Sequence, residues 1–263
     1  MKAGSPVIGR EILYFPVLAS TMDTLREYAV RKAGEGLVVV SYNQTQGRGR
    51  LGRTWQTPRG GLAVSVLLYP DLAYLHEVVM LGAVSVVLAA EAFGLSEAGI
   101  KWPNDVLING KKTAGVLIES RVVGKEPEYA ILGIGVNIDV DIAGLEAMPL
   151  PPGNISGTGG KNISREAFLH RLLATADELY ARMKTGESIY PLWRRRMLML
   201  GNEVTVTGPG GIVCATAEDV TPEGYLKLRL RTGDTRLVAA GDVSLRYGKP
   251  LLPETGSSGA VQA

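Results

Sequence analysis

The stretch Gly47-Arg48-Gly49-Arg50-Leu51-Gly52-Arg53-Thr54-Trp55 sets the first limit on what this chain can fold into. Its glycines satisfy the pattern G-x-G-x-x-G, and a short β-branched run at residues 37–40 precedes it. A dinucleotide-binding unit needs a helix to start at such a loop, because the helix N-terminus faces the pyrophosphate. Here Gln56-Thr57-Pro58-Arg59-Gly60-Gly61 follows instead, and then an apolar run at 62–69 with strand character. The local order is strand, Gly/Arg loop, strand, which fails the context a Rossmann motif requires. Gly110-Lys111-Lys112-Thr113 lacks the upstream glycine of a P-loop.

The loop still has the chemistry to hold anions. Glycines let backbone N–H groups approach a phosphate closely. Arg48, Arg50 and Arg53 add three planar forks that suit phosphate or carboxylate. A solvated basic loop has the same composition. So does a nucleic-acid contact, which would want further basic or aromatic residues along a face beyond Trp55. With 28 basic and 26 acidic side chains the net charge is +2, so no global field argues for nucleic acid.

The pattern along the rest of the chain predicts a mixed α/β body followed by a small β unit. Ser20-Thr21 is a candidate N-cap for a helix through Leu25, Tyr28 and Ala29. Residues 75–93 read as a buried helix closed by Gly94; the apolar run at 78–90 is too short to span a bilayer. Asn109-Gly110 is a hairpin signal between strands at 106–108 and 115–122. A strand at 129–138 follows, then a Pro- and Gly-rich segment at 145–161 that reads as mobile. Ser164-Arg165-Glu166-Ala167 opens a helix running to about Met183, and a second helical stretch ends near Leu200.

The texture changes at Gly201. Five short alternating strands between Glu203 and Tyr247 predict a barrel-like β domain. The expected division is 1–200, 201–248 and a disordered tail at 249–263, too polar and small-residued to pack.

Two further constellations stand out. In Lys101-Trp102-Pro103-Asn104-Asp105 the proline fixes its own backbone and biases Trp102 toward an extended conformation. A lysine ending a strand before that turn can be aimed with little freedom, though a plain strand-end turn has the same signature. In Gly133-Ile134-Gly135-Val136-Asn137-Ile138 two glycines inside an apolar strand leave room for something to lie against the backbone. Asn137, if buried there, needs a partner; a β-bulge with a satisfied asparagine is the alternative.

The inventory of other reactive groups is short. His76 and His170 lie in helical segments without partners for a triad or a metal site. Cys214, the one cysteine, rules out an intrachain disulfide and reads as a small core residue of a strand. Without a signal-peptide pattern the Asn-x-Ser sequences at Asn154 and Asn162 carry no weight, and a cytoplasmic protein is expected. Cations, glycines and amides remain, which suit displacement at phosphorus, where positioning and charge stabilisation dominate.

Taken in order, GRGRLGRTW, KWPNDV, the run from Lys112 to Glu119 (KTAGVLIE) and GIGVNI resemble the biotin–protein ligase family. The likeness runs from Ser20-Thr21 to Gly241-Asp242-Val243-Ser244-Leu245-Arg246. It implies an α+β fold, a catalytic domain like that of class II aminoacyl-tRNA synthetases with a mixed sheet and flanking helices, followed by an SH3-like barrel. It also implies two half-reactions: biotin and ATP, with Mg²⁺, give biotinyl-adenylate, and a lysine of a biotin carboxyl carrier protein then takes the biotin. A carboxylate is a nucleophile at neutral pH, so the first step needs no general base.

By the same resemblance Ser20, Thr21, Gln44, Gly47, Arg48, Gly49, Arg50, Lys101 and Gly115 surround biotin. Arg48 and Arg50 hold the adenylate phosphate, and Lys101 sits on the transferring oxygens. Arg50, Arg53, Trp55, Asn104, Lys112, Asn137 and Arg246 lie on the nucleotide side. The family commonly has Ser-Thr-Asn where this chain has Ser20-Thr21-Met22, so Met22 is left out of the polar contacts. Bifunctional members carry an N-terminal DNA-binding domain; the catalytic pattern here begins by residue 20, so no DNA binding is expected, nor membrane association, and a homodimer is left open. The rivals are a lipoate or octanoate ligase of the same superfold and a non-enzymatic nucleic-acid binder.

Overall fold

A computed structural model describes residues 6–145, 150–208, 211–239 and 241–245 of the chain. Seven strands form the main sheet: β1 (Ile12–Phe15), β2 (Val38–Ser41), β3 (Gly61–Leu68), β4 (Ala98–Lys101), β5 (Asp105–Ile108), β6 (Lys111–Val123) and β7 (Glu126–Asn137). Their spatial order is β1-β2-β3-β7-β6-β5-β4. β1 runs parallel to β2 and the other pairings are antiparallel, so the sheet is mixed, as expected.

Strand periodicity divides the sheet into two faces. Val64, Val66, Ala114, Val116, Leu132 and Ile134 point to one side, into the main core. There they meet α2 (Val78–Ala92), which is apolar all round because the sheet covers one side of it and α3 (Arg165–Lys184) the other. The helical stretch Leu72–Ala92 is long and apolar enough to cross a membrane, yet α2 is a core helix of this fold.

On the opposite face Val39, Leu67, Tyr129 and Ile131 pack against Met22, Leu25 and Ala29 of α1 (Thr21–Val30). Beyond the start of α1 the same face continues with almost no side chains. Register puts Ala63 beside Gly135 and Ser65 beside Gly133 on one flank, and Gly115 opposite Gly135 on the other. The fold therefore leaves a trough where the strand glycines are.

The second sheet comprises β8 (Glu203–Gly208), β9 (Gly211–Val220), β10 (Leu226–Arg229), β11 (Thr235–Val238) and β12 (Asp242–Leu245), antiparallel in the order β11-β10-β9-β8-β12. It is tied to the main body by side chains. Trp102 Nε1 donates to Gly224 O at 2.9 Å, the Tyr190 hydroxyl donates to Val220 O at 2.7 Å, and Arg194 grips both oxygens of Asp219.

Several local expectations need correction. The helix expected at 75–93 begins as a tight 3₁₀ segment, Leu72–Glu77, and becomes α-helical at Val78. The second helical stretch is only α4 (Tyr190–Arg195). After it the backbone bonds go elsewhere: Ile100 N–H reaches Arg196 O and Leu198 N–H reaches Ile100 O, so the chain covers edge strand β4 instead of coiling. The segment read as mobile is tied down over its described part, 150–161. Lys112 N–H bonds to Pro151 O, Ile155 N–H to Asn137 O, and the Asn154 amide grips both backbone groups of Val140. Cys214 is half-buried on β9 beside Thr205 Oγ1, not a core residue. The expected tail at 249–263 lies outside the described residues.

Candidate active site

The trough is the floor of a cavity of about 440 Å³. Its shape follows from what is missing. A methyl group on Gly135 would stand 2.2 Å from Trp55 Nε1, one on Gly115 would stand 3.0 Å from Trp55 Cζ3, and one on Gly133 would meet Met22 Sδ at 2.7 Å. The room expected beside the strand glycines is thus real. The Trp55 ring lies across the cross-strand pair Gly115 and Gly135, and the Met22 thioether covers Gly133.

One rim is the start of α1. Ser20 has the extended backbone of an N-cap but makes no side-chain cap bond. The orphan Thr21 N–H goes instead to Gln44 Oε1 at 2.9 Å, which also accepts from the Thr21 hydroxyl at 3.1 Å. Gln44 Nε2 donates to Thr57 Oγ1 at 3.2 Å, and Thr21 Oγ1 lies 2.7 Å from Ser65 Oγ. This polar chain fixes Ser20, Thr21 and Gln44 at one end of the trough.

The Gly/Arg loop forms the roof. It is a hairpin: Arg48 bridges to Thr54, Gly49 N–H donates to Arg53 O, and Trp55 N–H donates to Gly47 O. Residues 50–52 make one tight turn with Leu51 in the left-handed region. Those two amides are spent inside the hairpin and do not join the backbone cradle that the loop's glycines suggested. Gly47 stands behind the wall; a methyl group there would lie 2.3 Å from Trp55 O.

Arg48 stands at the cavity's edge in a ring of four charges. Its Nη1 and Nη2 grip Asp23 at 2.5 and 2.9 Å, and its Nε and Nη2 reach Glu119 Oε1 at 3.3 and 3.0 Å. Arg26 closes the ring by bonding to both carboxylates. The hydrogen bond from Arg48 outweighs burial and, with help from Arg26, holds the Asp23 carboxyl below its ordinary range. The same bond to Asp23, against burial and with Glu119 adding, raises the affinity of Arg48 for its proton.

The second rim is the turn after β4. Lys101 is buried at the end of that strand, paired in register with Asp105. Asn104 pins the turn to β6: its amide donates to Val116 O at 2.6 Å, and its own backbone carbonyl accepts from Val116 N–H at 3.0 Å. Arg50 Nη1 donates to Asn104 Oδ1 at 3.3 Å, so the roof and this rim touch. Lys112 pairs with Asp105 at 2.7 Å and lies 5.4 Å from the centre of the Trp55 ring. Buried Asn137 has the partner its burial required, donating to Lys112 O at 3.5 Å.

The structure therefore brings Ser20, Thr21, Gln44, Arg48, Gly49, Arg50, Arg53, Trp55, Lys101, Asn104, Lys112, Gly115 and Asn137 around one cavity. Gly47 supports it from behind. Arg246 lies outside the described residues. Sequence reasoning missed Asp105, Asp23, Arg26 and Glu119. Asp23 and Arg26 stand one helical turn apart on α1, and Glu119 lies on the same face of β6 as Gly115; that spacing was the available signal. It also passed over Val243 of β12, which brings the second sheet to the cavity.

Chemically the cavity is a place for an anion. Among the described lining residues its cations are Arg48, Arg50, Arg53, Lys101 and Lys112; Arg48 is paired with Asp23 and Glu119, and Lys112 with the lining carboxylate Asp105. No histidine or cysteine lines it, and the described residues contain no cluster of three or more acidic, histidine or cysteine side chains placed to hold a metal.

Comparison with known proteins identifies the family. Residues 14–137 match the biotin/lipoate A/B protein ligase family, and residues 199–246 match the biotin protein ligase C terminal domain. The chain is 32% identical over 245 residues to the bifunctional ligase/repressor BirA of Bacillus subtilis, covering 91% of this chain and 75% of that one. It is 32% identical over 211 residues to the biotin--[acetyl-CoA-carboxylase] ligase of Paracoccus denitrificans, covering 77% of this chain and 88% of the relative. The biotin protein ligase of Aquifex aeolicus, solved in complex with biotin and ATP, superposes with a TM-score of 0.74 at 28% identity, over 90% of this chain and 99% of that one.

Proposed function

The chain belongs to the biotin protein ligase family, and from that premise we propose that it activates biotin with ATP and attaches it to a lysine of an acceptor protein. One observation carries the reading: a glycine-floored trough under Trp55 and Met22, with buried Lys101 and half-buried Arg50 at one end and the Ser20–Thr21–Gln44 chain at the other. An acyl-adenylate needs such a shape, with room along the backbone for its length and cations at the reacting phosphate.

In the first step a carboxylate oxygen of biotin attacks the α-phosphorus of ATP. The new C–O–P anhydride forms as the bond to pyrophosphate breaks. The attacking group is already ionised, so a site without a histidine base is sufficient. In the second step the acceptor lysine amine attacks the anhydride carbonyl, an amide forms, AMP leaves with the bonding electrons, and the amine proton passes to solvent.

Lys101 and Arg50 stabilise charge on the transferring oxygens, in a partly closed site where such donors act strongly. Ser20, Thr21 and Gln44 hold the biotin end, with Gly49 and Gly115 giving it room and Gly47 letting Gln44 and the Trp55 backbone pack behind it. Arg53, Trp55, Asn104, Lys112 and Asn137 serve the nucleotide, and Arg246 joins them on the family resemblance. Magnesium fits as an ion carried by the substrate phosphates, because the carboxylate among the described lining residues is Asp105, held by Lys112, and Mg²⁺ typically takes one or two carboxylates plus phosphate oxygens. When bound it would neutralise charge on the departing pyrophosphate. The acceptor in this proposal is the biotin carboxyl carrier domain of a carboxylase, and the setting is the cytoplasm.

The test is mass spectrometry of a purified carrier domain after incubation with the protein, ATP and either biotin or lipoate. The expected result is the mass increment of biotin on one lysine. Lipoyl transfer alone would transfer the assignment to the lipoate branch.

A further inference from the structure

Arg48 projects from the same loop as Arg50, whose Nη1 donates to Asn104 Oδ1. All three nitrogens of Arg48 donate to carboxylates, in a two-point grip on Asp23 and a second contact with Glu119. Each of those carboxylates also takes Arg26, so the four charges close on themselves and sum to zero. An arginine in this ring has no fork to offer a phosphate unless it first breaks a bidentate pair. A phosphate arriving there would also face two carboxylates. The ring joins three elements: the hairpin that roofs the trough, helix α1 beside the biotin end, and β6 beneath.

We infer that Arg48 is a positioning residue rather than a phosphate ligand, and that Asp23 and Glu119, with Arg26, form a charged latch that holds the Gly47–Trp55 hairpin closed over the trough. This rests on the adenylate-forming function proposed above. The latch keeps Arg50 and Trp55 over the floor and so retains the adenylate until an acceptor lysine arrives. Asp23 and Glu119 touch no substrate; they act through Arg48.

The two roles for Arg48 predict opposite signs. If Arg48 bound the phosphate directly, neutralising its carboxylate partners would free it and slow adenylate release. If it is a latch, Asp23→Asn with Glu119→Gln speeds release as Arg48→Ala does, by about tenfold, the scale of one lost charge-assisted hydrogen bond. Combining Arg48→Ala with the two carboxylate changes then adds little, because one device is removed once. The measurement is escape of radiolabelled biotinyl-adenylate from the purified full chain in the absence of acceptor. Slower or unchanged release in the carboxylate double variant overturns the latch.

A second readout needs no substrate and survives failure of the ligase assignment. Trypsin cleavage after Arg53, followed by mass spectrometry, reports opening of the hairpin. The carboxylate double variant is expected to be cut about tenfold faster at that bond relative to cleavage elsewhere in the chain, again the scale of one such hydrogen bond. Wild-type cleavage refutes the latch whatever the substrate, whereas a wild-type protein that makes no adenylate but whose double variant is cut faster refutes only the ligase reading.

Discussion

Replacing Gly135 by alanine adds one methyl group to the floor of the trough. Gly135 is not among the glycines with positive φ, so its backbone accepts alanine without strain and the whole effect is steric. The new carbon would lie 2.2 Å from Trp55 Nε1 and 2.3 Å from Cε2. Such atoms sit comfortably at about 3.5–4.0 Å, so the ring must retreat by roughly 1.3 Å or more. Overpacking of a closed site costs about 1–3 kcal/mol. Trp55 sits on a hairpin and is only half-buried, so the free protein relieves most of that by swinging the ring outward. A bound adenylate cannot share the narrowed trough so easily. The cost should therefore fall on binding, as a rise of about 5- to 150-fold in the KM for ATP, with Tm nearly unchanged.

Two companion variants turn this into a ranking. Gly115→Ala meets the same ring at 3.0 Å and should show a smaller rise. Gly82→Ala lies behind the sheet and collides with Leu132 Cδ1 at 2.7 Å and Val116 Cγ1 at 2.8 Å. It should lower Tm and leave the KM values alone. The assay is pyrophosphate release at varied ATP and varied biotin, beside thermal melts of each variant. Gly135→Ala with wild-type KM for both substrates, or with the same profile as Gly82→Ala, would refute the claim that this floor is the binding surface.

Lys101→Ala should slow adenylate formation by about 10²–10³, the loss expected for one preorganised donor at developing charge, and a wild-type burst of pyrophosphate would remove Lys101 from the site. Trp102→Phe trims the indole to a single ring and deletes the bond to Gly224 O; it should cost at least about 0.5–1.5 kcal/mol in denaturant melts, the void adding to the lost bond, and no loss would mean that this contact does not couple the two sheets. The Asp23 carboxyl is held below its ordinary value, so its contribution is present above the unfolded value of 3.8 and is lost as pH falls through the lower folded value. Asp23→Asn should accordingly flatten the acid limb of a Tm–pH curve below about pH 4, while an acid limb identical to wild type would show that the Arg48 bond does not persist in solution.

Much of this site was legible because it is made of motifs that are local in sequence. Asn109-Gly110 announced its hairpin, and both residues adopt the positive φ that the turn requires. The glycines at 133 and 135 announced a surface stripped of side chains. The elements that were missed have long-range causes. β1 is four residues long and is a strand only because β2 lies beside it in parallel. The stretch after α4 looked helical and instead pairs with an edge strand nearly a hundred residues earlier. The latch was hard to read for the same reason: Asp23, Arg48 and Glu119 are separated by 25 and 71 residues, and the one-turn spacing of Asp23 and Arg26 does not say that they meet Arg48.

The assembled site divides its work in a way that follows from the trough. A floor of glycine and alanine can admit a long, narrow molecule but cannot tell one from another or move charge. Selectivity and catalysis must then come from the rims, which are loops, and loops drift unless something fixes them. Each rim here is fixed by one side chain that reaches a different element. Gln44 holds the start of α1, Asn104 holds the Lys101 turn on β6, and Arg48 holds the roof on α1 and β6. None of the three is a general base, and the reaction needs none, because its nucleophile arrives ionised. What such a reaction needs is geometry that persists while charge moves across phosphorus, and these three side chains supply it.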